Sequence, residues 1–393
     1  MKSFNILFTL LLVIPAVDSD SSVTEFPADK NFTAFSAFNN SFTGFAGSAD
    51  DDEDSSGLGS DGPVIIYENG GITCYSVISE GREFKIKISS VSREDIFSCH
   101  IDETNTGFSF RLKDTITTEP DEYELPGKML IISDIEGNFR GFSEILTGTG
   151  VTDRNFNWIF GDGHLVLPGD FFDRGINVTE CLWLIYKLEN EALLHGGKVH
   201  FILGNHEMMN LKERFKYVRK KYFVNADTLG LEYSKWYSPD SELGRWLRSK
   251  NCVEKIGDFL FLHAGISKNF PHDEITLSEI NENTRERIER VFIPGETSKD
   301  IYIGNDGPLW YRDIVLEKET QDDVERTLKS YNSSKMIVGH TIVDSIKYLY
   351  NQSVIAVDLY HQENSDKGIM LALWFENGMF YTIDNNGNRT ELK

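Results

Sequence analysis

Four short apolar runs punctuate the chain between residues 129 and 262, and each stops abruptly at glycine or a polar side chain. Met129 to Ile132 gives way to Ser133-Asp134-Ile135-Glu136-Gly137-Asn138. Leu165 to Leu167 gives way to Pro168-Gly169-Asp170-Phe171-Phe172-Asp173-Arg174-Gly175. Val199 to Leu203 ends at Gly204-Asn205-His206-Glu207, and Phe259 to Leu262 ends at His263-Ala264-Gly265. Short apolar runs bounded by glycine read as buried strands. Polar side chains just past such strands sit where open α/β sheets place their sites. Helical patterning lies between the runs, as from Glu180 to Leu194, which is βαβ grammar. The near-even spacing of Asp134, Asp170 and Asn205 suits successive βαβ units of ~30 or more residues. The pattern predicts an α/β main domain over residues 128–393. Its last strands are MIVGHT, VIAVDLY and a pair, GIMLALWF and MFYTID, around Glu376-Asn377-Gly378. Residues 208–251 read as a helical insert overhanging the strand ends, with Tyr217, Tyr222, Phe223, Trp236 and Trp246 as its local core.

The N-terminal third reads differently. Residues 63–127 alternate as half-buried strands do, with a turn at Asn69-Gly70-Gly71, and predict a small β appendage. Residues 20–62 are poor in aliphatics, end in the acidic run Asp50 to Asp54, and read as a disordered linker. Phe32, Phe35, Phe38, Phe42 and Phe45 recur there at near-helical spacing, among poor helix formers. Residues 1–19 have the charge, apolar core and small-residue end of a secretory signal peptide, and the apolar run falls short of the ~20 residues a membrane span needs. A secreted or lumenal protein is the expectation. Sequons at Asn31, Asn39, Asn177, Asn332, Asn351 and Asn388 agree with that route. Of the four cysteines, Cys74 and Cys99 are close enough in sequence to bridge two strands of one small region. The net charge of −23 argues against nucleic acid or anionic membranes as partners. A phosphorylated substrate must therefore be drawn in by local positive charge.

The residues at the strand ends are those a dinuclear metal site requires. Phosphoesters resist water because their oxygens are anionic and the leaving alkoxide is poor. Two divalent cations ~3.5–4 Å apart answer both problems. Asp170 is the expected bridge. Asp134 and Glu136, two apart on one strand face, would complete the first ion with it. Asn205, His263 and His340 would complete the second. His206 cannot easily share an ion with its neighbour Asn205 and is placed as general acid, held by Asp173. Arg174 offers a planar fork for phosphoryl oxygens. The carboxylates favour Mn²⁺ or Mg²⁺, whereas imidazole suits Zn²⁺ and Fe²⁺; Mn²⁺ is the expected activator.

SDIEGN, GDFFDRG, GNHE, HAG and VGHT, in that order, resemble the motif series of calcineurin-like metallophosphoesterases. GDxxDRG with GNHE resembles the phosphoprotein-phosphatase type. GPLWYRD at Gly307 to Asp313 and GRWLRSK at Gly244 to Lys250 are similar to its bacterial and Shewanella-like branch. The resemblance spans about Lys128 to Asp384. It implies a two-sheet sandwich flanked by helices, two metals, and attack by a metal-bridging hydroxide on a phosphoprotein or small phosphoester. It also implies that Arg312, in the PLWYR segment, contacts phosphate. Three departures stand out: Glu136 replaces the His of D-x-H-G, Leu203 stands where eukaryotic serine/threonine enzymes carry Arg, and their closing S-A-P-N-Y segment is absent.

Taken singly, each motif has a structural explanation: a turn residue, a core histidine, an ion pair. Five in one order at strand ends do not. The main expectation is a secreted phosphomonoesterase. The alternatives are a dinucleoside polyphosphate hydrolase and a metal-binding extracellular protein that lost catalysis at Glu136. Intact His206, Asp173, Arg174 and Arg312 speak against the last.

Overall fold

The structure, a computed structural model, describes Ser22–Phe26 and residues 57–80 and 83–393. Its centre is a sandwich of two six-stranded sheets. In the first, the spatial order is Lys198–Phe201, His164–Leu167, Lys128–Ile131, Leu371–Glu376, Met379–Asp384 and Arg389–Glu391. The first three strands are parallel, joined through the helices Phe139–Gly148 and Val178–Leu194. These are the expected βαβ units. The chain then leaves this sheet and returns only at its end, as a hairpin antiparallel to Lys128–Ile131. The second sheet runs Lys347–Leu349, Val354–Ala356, Lys335–Val338, Phe259–Leu262, Val253–Ile256 and Glu122–Tyr123. Its central strands are covered on both faces, which is why they read as unbroken apolar runs rather than alternating ones. Phe259 of one sheet packs on Phe375 and Phe380 of the other, with ring centroids 5.4 and 5.2 Å apart.

Two tight turns follow directly from sequence. Asn69 and Gly70 have φ of 50° and 76°, and Asn377 and Gly378 have φ of 52° and 83°. In each, the flanking residues pair directly, Glu68 with Gly71 and Glu376 with Met379. Two left-handed residues in a two-residue loop match the twist of the strands, and Asn-Gly reaches that conformation at least cost.

The β appendage is a four-stranded sheet of Ser22–Phe26, Glu83–Val91, Gly71–Glu80 and Asp61–Glu68, with a separate hairpin of Phe97–Ile101 and Thr106–Phe110. The hairpin seats Phe110 on Trp183 at 4.3 Å and Phe108 on Phe139 at 6.3 Å, so the appendage shares the core of the main body. Lys221 reinforces the seam, with Asp61 at 3.6 Å and Glu180 at 3.5 Å.

Three expectations change here. The region read as a linker includes the strand Ser22–Phe26 and the start of Asp61–Glu68; backbone pairing builds a strand without the aliphatic density that the sequence reading sought. Glu122–Tyr123, read as appendage, is instead the edge strand of the second sheet. Cys74 and Cys99 are both buried and unpaired, as are Cys181 and Cys252, and Cys99 Sγ donates to the Gly62 carbonyl at 3.4 Å. The signal segment and the phenylalanine series lie outside the described residues. No helix among the described residues is long and apolar enough to cross a membrane.

Candidate active site

Five loops, each following a strand of one of the two sheets, meet at one site, and their approach depends on glycine. A Cβ on Gly204 would lie 2.2 Å from Asp170 Oδ1, and one on Gly175 would lie 2.3 Å from the Glu136 carbonyl. Any larger residue would separate the GNHE, GDFFDRG and SDIEGN loops. The loops are also strained. Asp134, Glu136, Asp170, Asp173, Arg174 and His340 all adopt left-handed backbone, with φ between 48° and 70°. Such residues cost of order 1–3 kcal/mol each and persist only where surroundings enforce them, typically at functional sites.

Asp170 is the hub. Its Oδ1 accepts the His206 N–H at 2.9 Å, and its Oδ2 lies 3.1 Å from His263 Nε2 and 3.8 Å from His206 Nε2. His263 turns Nδ1 to the Pro168 carbonyl at 2.7 Å, and His340 turns Nε2 to the Trp310 carbonyl at 3.1 Å. With those nitrogens committed as donors, His263 Nε2 and His340 Nδ1 face each other at 3.1 Å, and Asn205 Oδ1 lies 2.9 Å from the former. Lone pairs aimed at one point in a buried space call for a proton or a cation between them. Asp134 accepts the His340 N–H at 3.1 Å.

Among the described residues, two sets of donor atoms lie within 4.8 Å of one another: Asp170, His263 and His340, and Glu136, Asp170 and His206. The first, with Asn205 beside it, is the set assigned to one ion. The second differs from expectation. His206, assigned as acid, joins Glu136 and Asp170, while Asp134 turns toward the His340 backbone. The left-handed backbone at both 134 and 136 removes the simple strand alternation that put them on one face.

The electrostatics are those of a pocket short of positive charge. Burial raises the Asp134 carboxyl to about 6. Burial, then the nearby Asp134, raises Asp358 well above the usual range. Burial opposes ionisation of Asp170 as well, but the adjacent imidazoles, His263 foremost, hold it below its ordinary value. His263 rises to about 10 because Asp170 outweighs burial. Three buried carboxyls crowded with imidazoles are relieved by divalent cations, so the residues present fit the metals that such a fold implies.

Around this centre, His206 Nδ1 lies 2.6 Å from Asp173 Oδ2. Asn210 Nδ2 donates to Asp173 Oδ1 at 2.9 Å and to the His206 carbonyl at 3.0 Å. Arg174 pairs with Glu136 and lies 5.4 Å over the Tyr217 ring. Arg312 donates to the His340 carbonyl at 2.6 Å, which puts it at the rim. Tyr217 departs from the rest of the insert: its ring stands 5.3 Å from that of His206, whereas Tyr222, Tyr233, Trp236 and Trp246 are buried core.

Sequence reasoning missed three residues. Glu207 is wholly buried, and its carboxylate accepts the N–H groups of Gly204 at 2.7 Å, Asp170 at 2.8 Å, Phe171 at 2.8 Å and Phe172 at 3.3 Å. In the sequence it shows only as the last letter of GNHE. Asn210 lies one helical turn beyond His206, a spacing that was available. Asp358 follows the run Val354 to Val357, which is the same strand-end grammar that identified the others. Asn138, grouped with the strand-end polar residues, caps the helix Phe139–Gly148, its Oδ1 accepting the Gly141 N–H at 2.9 Å.

The model of the calcineurin-like phosphoesterases matches residues 127–361. The chain belongs to that family. It is 31% identical to Shewanella-like protein phosphatase 1 of Plasmodium berghei (strain Anka) over 230 residues, 56% of this chain and 63% of that protein's length. Shewanella-like protein phosphatase 2 of Arabidopsis thaliana is 27% identical over 292 residues, 60% of this chain and 72% of the relative. Among solved structures, the cold-active protein-tyrosine phosphatase of a psychrophilic Shewanella species superposes with a TM-score of 0.76 at 31% identity, covering 86% of this chain and all of the other. The family, its Shewanella-like branch and the two-sheet sandwich flanked by helices are therefore as the sequence motifs implied.

Proposed function

We propose that this chain is a metal-dependent phosphatase that hydrolyses phosphomonoesters using two divalent cations. The observation that carries the reading is the convergence of His263 Nε2, His340 Nδ1 and Asn205 Oδ1 on Asp170, beside the His206–Asp173 pair. One cation held by Asp170, His263, His340 and Asn205, and a second held by Glu136 and Asp170, would neutralise phosphoryl oxygens and provide hydroxide at neutral pH. Asp173 holds His206 by Nδ1, which aims Nε2 at the space between Glu136 and Asp170, where it can hand a proton to the leaving oxygen. Arg174, beside Glu136, and Arg312, beside the His340 carbonyl, would supply planar donors for the phosphoryl oxygens. The named activity of the Shewanella neighbour adds aryl esters such as phosphotyrosine to the substrates worth testing.

Purified protein is expected to hydrolyse p-nitrophenyl phosphate and phosphopeptides faster than dinucleoside polyphosphates. The reverse order would favour the phosphoanhydride reading, and failure on all three would favour a binding protein. Dialysis against a chelator should abolish turnover. Mn²⁺ should restore it better than Zn²⁺, because Glu136 and Asp170 make one donor group rich in carboxylate. Elemental analysis of the restored enzyme should give two ions per chain.

The proposed route is export after removal of residues 1–19, and burial makes a specific expectation about glycans. Asn332, Asn351 and Asn388 are exposed. Asn177 is 3% exposed, and its Nδ2 donates to Glu103 at 2.9 Å. Glycopeptide mass spectrometry of the natural protein should find Asn177 bare; a glycan there, or an intact Met1, would contradict this.

A further inference from the structure

Glu136 sits between two claimants. Its carboxylate belongs to the donor group it forms with Asp170 and His206, whose Nε2 lies 4.0 Å from Glu136 Oε1. The same oxygen pairs with Arg174 Nη1. A carboxylate oxygen paired with a guanidinium is a poorer ligand, because a divalent cation at that same oxygen would repel the Arg174 charge. Arg174 has somewhere else to go. Its backbone is fixed, because its N–H donates to the Tyr217 carbonyl at 3.0 Å and its own carbonyl accepts from Arg219 at 3.3 Å. Its side chain, however, is 51% exposed and rests on the Tyr217 ring. Only the side chain need swing.

We propose that Glu136 is shared between Arg174 and the cation, so that cation binding releases Arg174 to take the phosphoryl group. The coupling is reciprocal: a phosphoryl group that captures Arg174 frees Glu136 for the cation, and each raises the affinity of the other. A neutral imidazole at position 136 would hold no guanidinium, so the device exists because this chain carries Glu there. It weakens the hold of the cation-free site on phosphate at Arg174. The inference rests on the cation and phosphoryl assignments above, but its test uses no turnover.

Arg174 can be followed by its modification with phenylglyoxal, read by peptide mass spectrometry, with exposed Arg154 as internal reference. In chelator-treated wild-type protein, saturating Mn²⁺ should speed Arg174 modification by about fivefold or more. In Glu136→Gln and Glu136→His, modification should be fast without Mn²⁺ and unchanged by it. The second variant guards against a folding or binding defect in the first, since imidazole remains a ligand. Arg174 reactivity that ignores Mn²⁺ in the wild type overturns the coupling, as does an acceleration that persists in both variants. Calorimetry on the same samples separates the failures. No Mn²⁺ binding would sink the cation assignment itself, whereas normal binding with an unresponsive Arg174 would sink only the coupling.

Discussion

His206→Ala is expected to lower turnover of alkyl phosphate esters by about 10²–10⁴-fold, the usual worth of general acid–base assistance. The geometry gives this imidazole one free nitrogen. Nδ1 is engaged by Asp173 at 2.6 Å, and Asp173 is itself anchored by Asn210 at 2.9 Å, so neither the ring's tautomer nor its tilt is free to vary. Proton donation matters most when the leaving oxygen is basic. The loss should therefore shrink for p-nitrophenyl phosphate and be largest for phosphoserine. Asp173→Asn should reproduce part of the defect, because an amide would let the ring reverse its donor and acceptor. The competing role is real in this structure, where His206 Nε2 lies 3.8 Å from Asp170 Oδ2 and within a donor group with Glu136. Metal content decides between them. An alanine variant that keeps two ions per chain and shows a leaving-group-dependent defect identifies an acid. One that loses an ion, with equal losses across substrates, identifies a ligand.

Most of the sandwich was legible because its strands are covered on both faces and flanked by glycine, so apolar runs marked them without any need for periodicity. The βαβ connections followed from the spacing of Asp134, Asp170 and Asn205. What was not legible was which sheet each strand joins. Phe259–Leu262 carries the same strand-end grammar as Lys198–Phe201 yet lies in the other sheet, and the final hairpin crosses back to pair with Lys128–Ile131. Apolar runs record burial, not neighbours. Short pieces such as Lys347–Leu349 and Glu122–Tyr123 carry too few residues to signal at all.

The same limit applies to the candidate site. Residue type and position at a strand end were enough to nominate Asp170, His263, His340 and His206, which the fold brings together. Strand alternation failed at Asp134 and Glu136 because both have left the extended region, and a left-handed residue re-aims the side chains around it. Composition alone puts Tyr217 in the insert's core. Its place beside His206 and Arg174 depends on the path of the loop after Leu211, which no local pattern encodes.

Glu207→Gln should be among the most destabilising isosteric changes in the chain. In the wild type both carboxylate oxygens accept backbone N–H groups, Oε2 from Gly204 and Asp170, Oε1 from Phe171 and Phe172. All of this is buried, so water cannot substitute. A glutamine offers one carbonyl oxygen and one NH₂. Whichever way the amide turns, two backbone donors face a third donor and are left unsatisfied, at about 1–3 kcal/mol each. The expected cost is thus about 2–6 kcal/mol, which for a chain of this size lowers Tm by roughly 2–7 °C, at about 1 °C per kcal/mol. Glu207→Asp should fail less severely, since it keeps acceptors but shortens their reach. The measurement belongs on chelator-treated protein, because cations bound at Asp170 would otherwise add their own stabilisation to the wild type alone. If the glutamine variant melts within about 0.5 °C of the wild type under those conditions, Glu207 does not hold the two loops. The close approach of Gly204 to Asp170 would then be maintained by the strands alone.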